Sequence, residues 1–373
     1  MIERLNPKTN CVAVFGGEGN MGKITVGLFQ NLGYEVIISD PKNPDSVKTT
    51  EAVQQSEIIF FSVLPIEEIE KIVGETEDLF GVEHIVIDNS SLKQPLVNAY
   101  KRLEEKGVSI CSTHPLCKHD QPLHGQKVLI LEVGKNPQKA RGVAERLYKN
   151  AGMITIPLAF KNHDRTMIVV QLVPHLVMRS VGQALEKSGV NLKALNEIAP
   201  ANFQLFNLSL WRTLVQDPRI SATLITNLLK DKEGEALAQE IHTAVQQITK
   251  EKDEKELVKL FEETYSRLNR EGLGLTMNEA TTIVLERLAN LQVKSITIET
   301  LEDKPGLLRQ ILLPFEEQGI NLTAIDSHKQ KDKVKFEIGI DENTYTPEAL
   351  QTIVLALQKI GCSVTEITSS DKT

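Results

Sequence analysis

A glycine-rich turn between two apolar segments constrains the fold of this chain more than any other feature. The segment CVAVFG predicts a strand covered on both faces, and it leads into Gly17-x-Gly19-x-x-Gly22. A helical segment follows and ends at Gly33, and a second strand, EVIIS, ends at Asp40. A strand, a glycine loop, a helix and an acid after the next strand form the βαβ pattern typical of dinucleotide binding.

Each part of this pattern has a separate predicted role. Gly17 allows the tight turn, Gly19 lets a pyrophosphate approach, and Gly22 lets the helix pack closely on the strand. Asp40 would accept hydrogen bonds from ribose hydroxyls and repel a 2′-phosphate, which favours NAD over NADP, although Lys42 lies just beyond it. The predicted cofactor contacts are Gly17, Gly19, Asn20, Met21, Gly22, Asp40 and Pro65.

The alternation of strands and helices continues along the first part of the chain. Apolar runs at 57–65, 84–91, 108–115 and 127–133 predict further strands, most of them separated by helical stretches. We therefore expect an α/β, Rossmann-type doubly wound sheet that extends to about residue 156. Ligands bind beyond the carboxyl ends of such strands, where the loop 90–93 and the pair His114-Pro115 are also expected.

The segment CSTHPLCKHD concentrates possible ligands and bases in one place. His114, Cys117, His119 and Asp120 could bind a metal, or His114 could be a base with unrelated polar neighbours. The cysteine and histidine spacing matches no common zinc pattern, and a metal needs three or four converging ligands. We therefore predict no metal and an acid/base role for His114, with a structural histidine as the alternative.

Composition limits the possible classes of protein. The chain has 373 residues and a formal net charge of -8, without a dense basic run, which argues against nucleic acid or an anionic membrane as the main partner. No uninterrupted apolar run approaches the length of a membrane span, and the N-terminus has no apolar core like that of a signal peptide. The four cysteines form no CxxC pair and are typical of reduced thiols in a cytoplasmic protein.

The middle of the chain, from Asn162 to about Ala289, has a helical pattern. One long apolar helix contains Pro174, which should kink it beside His175. His175 could reach a cleft or be a satisfied core histidine. Arg212, in an otherwise apolar helix, should pair with a carboxylate, either a structural acid or part of a substrate.

The last part of the chain predicts a β-α-β-β-α-β order. Strands are expected near 294–301, 321–328, 333–340 and 363–368, with helices near 305–318 and 347–360. This is the order of a ferredoxin-like fold. The segment contains no evident nucleophile or metal cluster, so a regulatory role is more plausible than a catalytic one.

These motifs together resemble prephenate dehydrogenase, the enzyme of tyrosine biosynthesis, followed by an ACT domain. The resemblance runs from about residue 11 to 290 and rests on GGEGNMGK, DNSSLK, THPL, NHD…VPH and WRTLVQDP. It implies a Rossmann domain at 1–156, an all-helical substrate and dimerisation domain at 157–292 and an ACT domain at 293–373. It also implies NAD as cofactor, prephenate as substrate and a homodimer.

The resemblance assigns roles to four residues. It implies that His114 is the catalytic histidine that hydrogen-bonds the ring hydroxyl of the substrate, and that Ser91 helps to hold this hydroxyl near the nicotinamide. Arg212 would bind a substrate carboxylate, and His175 would line the substrate pocket. The chain departs from the family after His114-Pro115, where Leu116-Cys117-Lys118-His119 replaces the usual Met-Phe-Gly-Pro and puts the shape of this loop in doubt.

The C-terminal segment resembles the ACT domains of prephenate dehydratases through KPGLL and GINLTAIDS. The resemblance implies that Tyr or Phe binds between two ACT domains as an effector. The predicted effector contacts are Gly306, Leu307, Leu308, Asn321, Leu322, Thr323 and Ser327. An ACT domain that only dimerises is the alternative.

Three other functions remain possible from the sequence. Arogenate, which has an amine in place of the side-chain keto group, is a close alternative substrate. A β-hydroxyacid dehydrogenase would also join a Rossmann domain to helices, but such enzymes usually depend on a lysine in the helical domain. A non-catalytic amino-acid sensor is favoured only by the altered loop after His114.

Overall fold

The computed structural model describes residues 8–270, 272–290, 295–330, 333–341 and 343–368. The chain divides into two compact units, Met1–Val170 and Gln171–Thr373, which we call the N-terminal unit and the C-terminal unit. The N-terminal unit contains the glycine loop and His114, and the C-terminal unit contains His175, Arg212 and the segment that resembles an ACT domain.

The N-terminal unit alternates strands with helices, as the apolar runs predict. Its strands are β1 Lys8–Phe15, β2 Glu35–Ser39, β3 Ser56–Phe61, β4 Ile85–Asp88, β5 Ser109–Pro115, β6 Lys127–Val133 and β7 Ile154–Pro157. Its helices are α1 Asn20–Asn31, α2 Thr49–Gln55, α3 Glu67–Thr76, α4 Val97–Glu105, α5 Gln138–Asn150 and α6 His163–Met167. Short 3₁₀ turns lie at Glu77–Leu79, Gln94–Leu96 and Phe160–Asn162.

These strands form one seven-stranded sheet in the order β2-β1-β3-β4-β5-β6-β7. The first five strands are parallel, but β6 runs antiparallel to β5 and β7 runs parallel to β6. The sheet is therefore mixed rather than wholly parallel, as many doubly wound sheets are. The connection from β5 to β6 contains no helix, and an antiparallel neighbour needs no crossover helix, unlike a parallel one.

The central strands of this sheet are buried almost completely, which accounts for their continuous apolar runs. All residues of β4 and β5 are buried, including the polar end of β4 at Asp88 and the end of β5 at His114. Because β4 and β5 are parallel, both polar ends lie at the same edge of the sheet. Burial forces these polar groups to find partners within the protein, and those partners build the candidate site.

The first part of the C-terminal unit is helical. Its helices are α7 Val173–Ser188, α8 Leu192–Glu197, α9 Ala201–Leu214, α10 Pro218–Leu228, α11 Lys232–Lys250, α12 Glu254–Leu268 and α13 Leu273–Asn290. A π-helical segment spans Ile168–Leu172, and Pro174 lies in the first turn of α7, so the hydrogen-bond pattern of the helix changes here; the predicted kink beside His175 stays a prediction. Proline lacks the N–H that an uninterrupted helix needs at this point.

The stretch Phe160–Ser188 is long and apolar enough to cross a membrane, with a mean hydropathy of 1.3 over its 18-residue window. This does not contradict the expectation that no uninterrupted apolar run approaches this length, because Gln171, Pro174 and His175 lie within the stretch. A helix in the core of a soluble protein has the same average composition, so this measure does not distinguish the two situations.

The end of the C-terminal unit has the predicted order of elements. The strands are β8 Ser295–Thr300, β9 Leu322–Gln330, β10 Lys333–Ile340 and β11 Ser363–Thr368, and the helices are α14 Leu307–Glu317 and α15 Pro347–Lys359. The four antiparallel strands have the order β11-β8-β10-β9, which is the order of a ferredoxin-like fold. Both helices pack on this sheet around a core that includes Ile298, Phe315, Ile338 and Ile353.

Candidate active site

The glycine loop after β1 leaves no room for side chains. Gly16 makes the sharp turn, because its φ is 76° and a Cβ there would lie 2.3 Å from the Ser62 carbonyl oxygen. Gly17 is a central residue of the turn that the Gly19 N–H closes by donating to the Gly16 carbonyl oxygen at 3.0 Å, and a Cβ on Gly17 would meet Ile38 Cγ2 at 2.8 Å. At Gly22 a Cβ would lie 1.9 Å from the Gly16 carbonyl oxygen, so this glycine allows the close helix packing that the pattern predicts.

The loop has the features that a dinucleotide needs. Helix α1 begins at Asn20 directly after Gly19, so its unpaired N–H groups lie beside the loop. Asp40, at the end of β2, is 6% exposed and accepts hydrogen bonds from the backbone N–H groups of Glu18 at 3.0 Å and Lys42 at 2.9 Å. A buried carboxylate next to a bare glycine loop fits a ribose and pyrophosphate.

The next loop on this edge follows β3. The peptide bond between Leu64 and Pro65 is cis, and both residues are exposed. The contact between Pro65 and the cofactor stays a prediction.

A lysine is buried beside the end of β4. Lys93 is 1% exposed, and its ammonium donates to Asp88 Oδ1 at 2.9 Å. It also donates to the carbonyl oxygens of Ser90 at 2.6 Å and Thr113 at 2.8 Å. Lys93 thus joins the loop that carries Ser91 to the end of β5, and Ser91 itself is half-buried on this loop.

The Asp88 carboxylate is the acceptor at the centre of this network. Besides Lys93 it accepts hydrogen bonds from the Ser90 backbone N–H at 2.7 Å and from the hydroxyls of Tyr100 and Ser112. Burial lowers the pKa of Lys93, and the attraction of Asp88 opposes this shift. A buried charge pair with this many hydrogen bonds is costly to break, because each partner would remain unpaired in a dry environment.

His114 is 4% exposed and is linked to a second histidine, which is linked in turn to a carboxylate. His114 Nδ1 lies 2.9 Å from His163 Nε2, and His163 Nδ1 lies 2.6 Å from Asp164 Oδ1. Asp164 also accepts hydrogen bonds from the backbone N–H groups of Lys93 and Gln94. All of these residues belong to the N-terminal unit.

Burial and charge determine the protonation of these groups. Burial, the positive charge of Lys93 and the proximity of His163 lower the pKa of His114 well below its usual value. Burial also lowers the pKa of His163, against the hydrogen bond to Asp164. Burial raises the pKa of Asp164, but the hydrogen bonds from His163 and from the Gln94 and Lys93 amides outweigh this and lower it overall. Near neutral pH His114 is therefore a neutral imidazole that can accept a proton.

Cys117, His119 and Asp120, the other possible metal ligands of CSTHPLCKHD, do not form a metal site with His114. Cys117 is half-buried, and His119 and Asp120 are exposed on the loop before β6. Across the described ranges, no three His, Cys, Asp or Glu side chains come together in a way that could hold a metal ion.

His175 lies in α7 and contacts a serine of α10. Its Nδ1 is 3.0 Å from Ser221 Oγ, which also accepts a hydrogen bond from Arg179 Nε at 3.1 Å. The Arg179 guanidinium additionally donates to the carbonyl oxygens of Leu214 and Gln216. Arg179 therefore fixes the turn between α9 and α10 and holds the serine that orients His175.

Arg212 is exposed near the end of α9. The sequence suggested that Arg212 lies among apolar neighbours and needs an acid as its partner. The neighbouring Trp211 is also exposed, at 45%. The predicted binding of a substrate carboxylate by Arg212 is not tested by this geometry.

The predicted effector residues differ in burial. Gly306 has a φ of 85° and precedes the first turn of α14, where Leu308 is exposed. Leu307 is only 4% exposed and packs in the core of the ferredoxin-like fold, so its side chain is not available to a ligand. All four residues predicted on β9 and just before it are exposed or half-buried: Asn321, Leu322, Thr323 and Ser327.

Two family models cover adjoining parts of this chain. The model described as prephenate dehydrogenase, nucleotide-binding domain matches residues 40–174, and the model described as prephenate dehydrogenase, dimerization domain matches residues 160–263. Together they span more than half of the chain. The chain belongs to the prephenate/arogenate dehydrogenase family. The predicted dinucleotide cofactor agrees with the nucleotide-binding domain of this family.

This chain is similar to relatives whose names include prephenate or arogenate. A probable arogenate/prephenate dehydrogenase of Methanocaldococcus jannaschii is 24% identical over 324 residues, covering 80% of this chain and 72% of the relative. A probable NADP(+) prephenate dehydrogenase of Schizosaccharomyces pombe is 26% identical over 184 residues, covering 45% of this chain and 42% of the relative.

Two solved structures are similar in fold to this chain. Prephenate dehydrogenase from A. aeolicus, in complex with hydroxyphenyl propionate and NAD+, is 17% identical with a TM-score of 0.52, covering 70% of this chain and 98% of its own. Arogenate dehydrogenase from Synechocystis is 16% identical with a TM-score of 0.50, covering 73% and 99% respectively.

Sequence reasoning missed the residues that surround the predicted base of this dehydrogenase. His163 and Asp164 belong to the NHD motif, and Lys93 ends the DNSSLK motif, but no role was predicted for any of them. The motifs were the available signal. Their convergence could not be read from the sequence because His114 and His163 are separated by 49 positions.

Proposed function

We propose that this protein catalyses the NAD-dependent oxidative decarboxylation of prephenate to 4-hydroxyphenylpyruvate in tyrosine biosynthesis. The observation that carries the proposal is a buried neutral imidazole, His114, at the same edge of the sheet as the bare glycine loop. A base and a dinucleotide site on one edge fit the oxidation of an alcohol. The family to which the chain belongs supports the same chemistry.

The loop residues favour NAD as the cofactor. The loop of Gly16, Gly17 and Gly19 would hold the pyrophosphate, and Asp40 would accept hydrogen bonds from the ribose hydroxyls. The buried Asp40 carboxylate would also lie close to a 2′-phosphate and repel it, which opposes NADP. When bound, NAD⁺ would supply the acceptor for the hydride that leaves C4 of the substrate.

His114 provides the proton chemistry of the proposed reaction. It accepts the proton of the C4 hydroxyl, so that a carbonyl can form at C4. The bond between C1 and its carboxylate then breaks, CO₂ leaves, and the bond electrons make the ring aromatic. The new phenolate oxygen takes the proton back from His114, so no proton is gained or lost by the protein. Proton transfer by a well-placed side chain typically contributes about 10²–10⁴-fold in rate.

The further proposed substrate contacts are Arg212 and His175, both of which belong to the C-terminal unit. An exposed arginine such as Arg212 can form a two-point hydrogen bond with a carboxylate, which fixes orientation as well as affinity. His175 is held by Ser221, so its ring orientation is set before a ligand arrives. Ser91, half-buried beside the buried Lys93, would contact the ring hydroxyl.

Arogenate is the second candidate substrate. It has the same ring, hydroxyl and leaving carboxylate, so His114 would act on it in the same way. The relatives carry both names, which supports keeping both substrates.

We infer that the enzyme is a cytoplasmic homodimer. The family model of the dimerization domain covers residues 160–263, and within this range several large apolar side chains are exposed, among them Leu208, Trp211 and Val215. A second copy of the chain would remove this apolar surface from water. The four cysteines, at 11, 111, 117 and 362, form no disulfide in the described part of the chain, which agrees with a reducing compartment.

The C-terminal fold would bind an aromatic amino acid and regulate the enzyme. Its βαββαβ order and its exposed β9 support an ACT domain, and the exposed Gly306 and Leu308 would contact the effector. Feedback inhibition by tyrosine is the natural form of this regulation, with phenylalanine as the competing effector. Isothermal titration of the whole chain with both amino acids tests this part; if neither binds, the domain has only a structural role.

The catalytic part is tested by His114→Asn. We expect this variant to bind NAD⁺ like the wild type, because no predicted cofactor contact changes, while NADH formation with prephenate falls about 10²-fold or more. Turnover close to that of the wild type would show that His114 is not the base. Equal loss of NAD⁺ binding and turnover would show instead that His114 supports the cofactor site.

A further inference from the structure

Three titratable side chains follow one another behind the proposed reaction centre. His114 Nδ1 lies 2.9 Å from His163 Nε2, and His163 Nδ1 lies 2.6 Å from Asp164 Oδ1. The two rings are buried, at 4% and 0% exposure, whereas Asp164 is partly exposed at the end of the series. In this geometry, Nδ1 of the proposed base His114 bonds to His163, and His163 bonds in turn to the Asp164 carboxylate.

The direction of these hydrogen bonds follows from Asp164. An ionised carboxylate only accepts, and the lowered pKa of Asp164 keeps it ionised near neutral pH. His163 must therefore donate from Nδ1, which in a neutral ring leaves Nε2 as an acceptor. His114 must then donate from Nδ1, and its own Nε2 carries the lone pair.

We propose that His163 and Asp164 are positioning residues that fix His114 as the Nδ1–H tautomer, with Nε2 as the atom that takes the proton of the substrate hydroxyl. The inference deepens the proposed dehydrogenase function and rests on it. It also accounts for the stability of the protonated state, since the imidazolium of His114 is formed next to an acceptor that is itself held by an anion.

The hydrogen bond to His163 offsets part of the cost of placing a positive charge on His114. The nearby Lys93 ammonium and the dry environment both oppose a positive charge on His114. Without an acceptor at Nδ1, the protonated ring would be buried with one N–H unpaired, which is costly. His163 provides this acceptor, so the proton can remain on His114 until the phenolate oxygen takes it back.

A merely structural role for Asp164 can be separated from this role by Asp164→Asn. Asp164 Oδ2 accepts hydrogen bonds from the backbone N–H groups of Gln94 at 2.8 Å and Lys93 at 3.2 Å, whereas Oδ1 lies 2.6 Å from His163 Nδ1 and also accepts from the Lys93 N–H at 3.0 Å. An asparagine oxygen in the Oδ2 position keeps an acceptor for both backbone N–H groups, whereas an oxygen in the Oδ1 position would leave the Gln94 N–H facing the NH₂ group. The loop contact survives, and the NH₂ group faces His163 Nδ1.

Asp164→Asn therefore reverses every hydrogen bond of the series. His163 Nδ1 becomes an acceptor, its Nε2 becomes a donor, and His114 must accept at Nδ1 and carry its proton on Nε2. We expect kcat to fall by about 10²–10⁴-fold, since the base is then in the wrong tautomer. KM for the substrate and the affinity for NAD⁺ should change little.

The tautomer is measured directly by ¹⁵N NMR of histidine-labelled protein without substrate, with His114→Asn identifying the His114 signals. We expect a protonated Nδ1 in the wild type and a protonated Nε2 in Asp164→Asn. A wild-type ring protonated on Nε2, or an Asp164→Asn protein with unchanged tautomer and kcat, would overturn the proposal. Because this measurement needs no turnover, it remains decisive even if neither prephenate nor arogenate is a substrate.

Two further variants cover the case in which Asp164→Asn does not fold. His163→Leu removes the acceptor and should lower kcat strongly, whereas in His163→Gln the side-chain oxygen can accept from His114 Nδ1 and should restore part of the loss. His84→Gln is the matched control. His84 is also buried in the N-terminal unit, but it lies just before the start of β4, whereas Asp88 ends this strand, and His84 Nδ1 accepts a hydrogen bond from the Gly81 N–H. Equal loss of kcat in all three would mean that burial of a histidine, rather than the series, explains the effect.

Discussion

A methyl group added at Gly22 would enter the space already filled by the glycine loop. The Cβ of Gly22→Ala would lie 1.9 Å from the Gly16 carbonyl oxygen, whereas ordinary contact begins at 3.4 Å. Helix α1 would have to move away from the loop by more than an ångström, and the obstacle is backbone, which cannot rotate aside. Overpacking of this kind costs about 1–3 kcal/mol of folding free energy.

The displacement should affect binding more than folding. The first turn of α1 supplies the N–H groups for the pyrophosphate, and such contacts weaken steeply when they lengthen by an ångström. We expect Gly22→Ala to lose most of its affinity for NAD⁺ in isothermal titration and to melt at a lower temperature than the wild type.

Gly27 provides a control in the same helix. A Cβ on Gly27 meets nothing within 4 Å. Alanine is favoured over glycine inside a helix by up to about 1 kcal/mol, so Gly27→Ala should be as stable as the wild type or more stable, with unchanged binding. Wild-type affinity in Gly22→Ala, or equal behaviour of the two variants, would refute the reasoning about helix packing.

Two other predictions concern stability. Lys93→Met should destabilise the protein by about 3–5 kcal/mol in urea denaturation, because the Asp88 carboxylate remains buried without its cation. Adding Asp88→Asn should recover much of this stability. If the double variant recovers none, the charge pair does not explain the loss. The second concerns pH: the folded pKa values of His114 and His163 are lowered, so the unfolded chain binds more protons just below their usual pKa of about 6.5. The stability from these groups is present above this pH and should be lost as the pH falls below it; a flat denaturation midpoint between pH 7 and 5 would contradict this.

The sequence predicted most elements because their signals are local. Apolar runs placed β1 to β6, and the β-α-β-β-α-β order of the last segment agrees with the structure. The reversal of β6 was not predicted, because a buried strand has the same apolar run in either direction. Gly17 lies within the turn, as predicted, but the positive φ of Gly16 was not predicted, because Gly16 also lies in the apolar run of β1 and the motif does not show which glycine has a positive φ.

The candidate site was predicted only in part, for a physical reason. His114 was placed correctly because it ends a strand, and a strand end lies at a known edge of the sheet. Its partners depend on contacts between distant parts of the chain, such as the bond to His163 and the burial of Lys93 under the loop after β4. A lysine in sequence is expected to be exposed, and only the fold shows that Asp88 and two carbonyl oxygens accept its hydrogen bonds.

The most direct test of the central claim is NADH formation by the purified protein with NAD⁺ and either prephenate or arogenate. We expect NADH formation with prephenate, with arogenate as the second possible substrate. We also expect His114→Asn to lose this NADH formation. Turnover with arogenate alone would keep His114 as the base and change the substrate. Absence of NADH with both substrates, together with measurable NAD⁺ binding, would contradict the proposed activity and favour a non-catalytic amino-acid sensor.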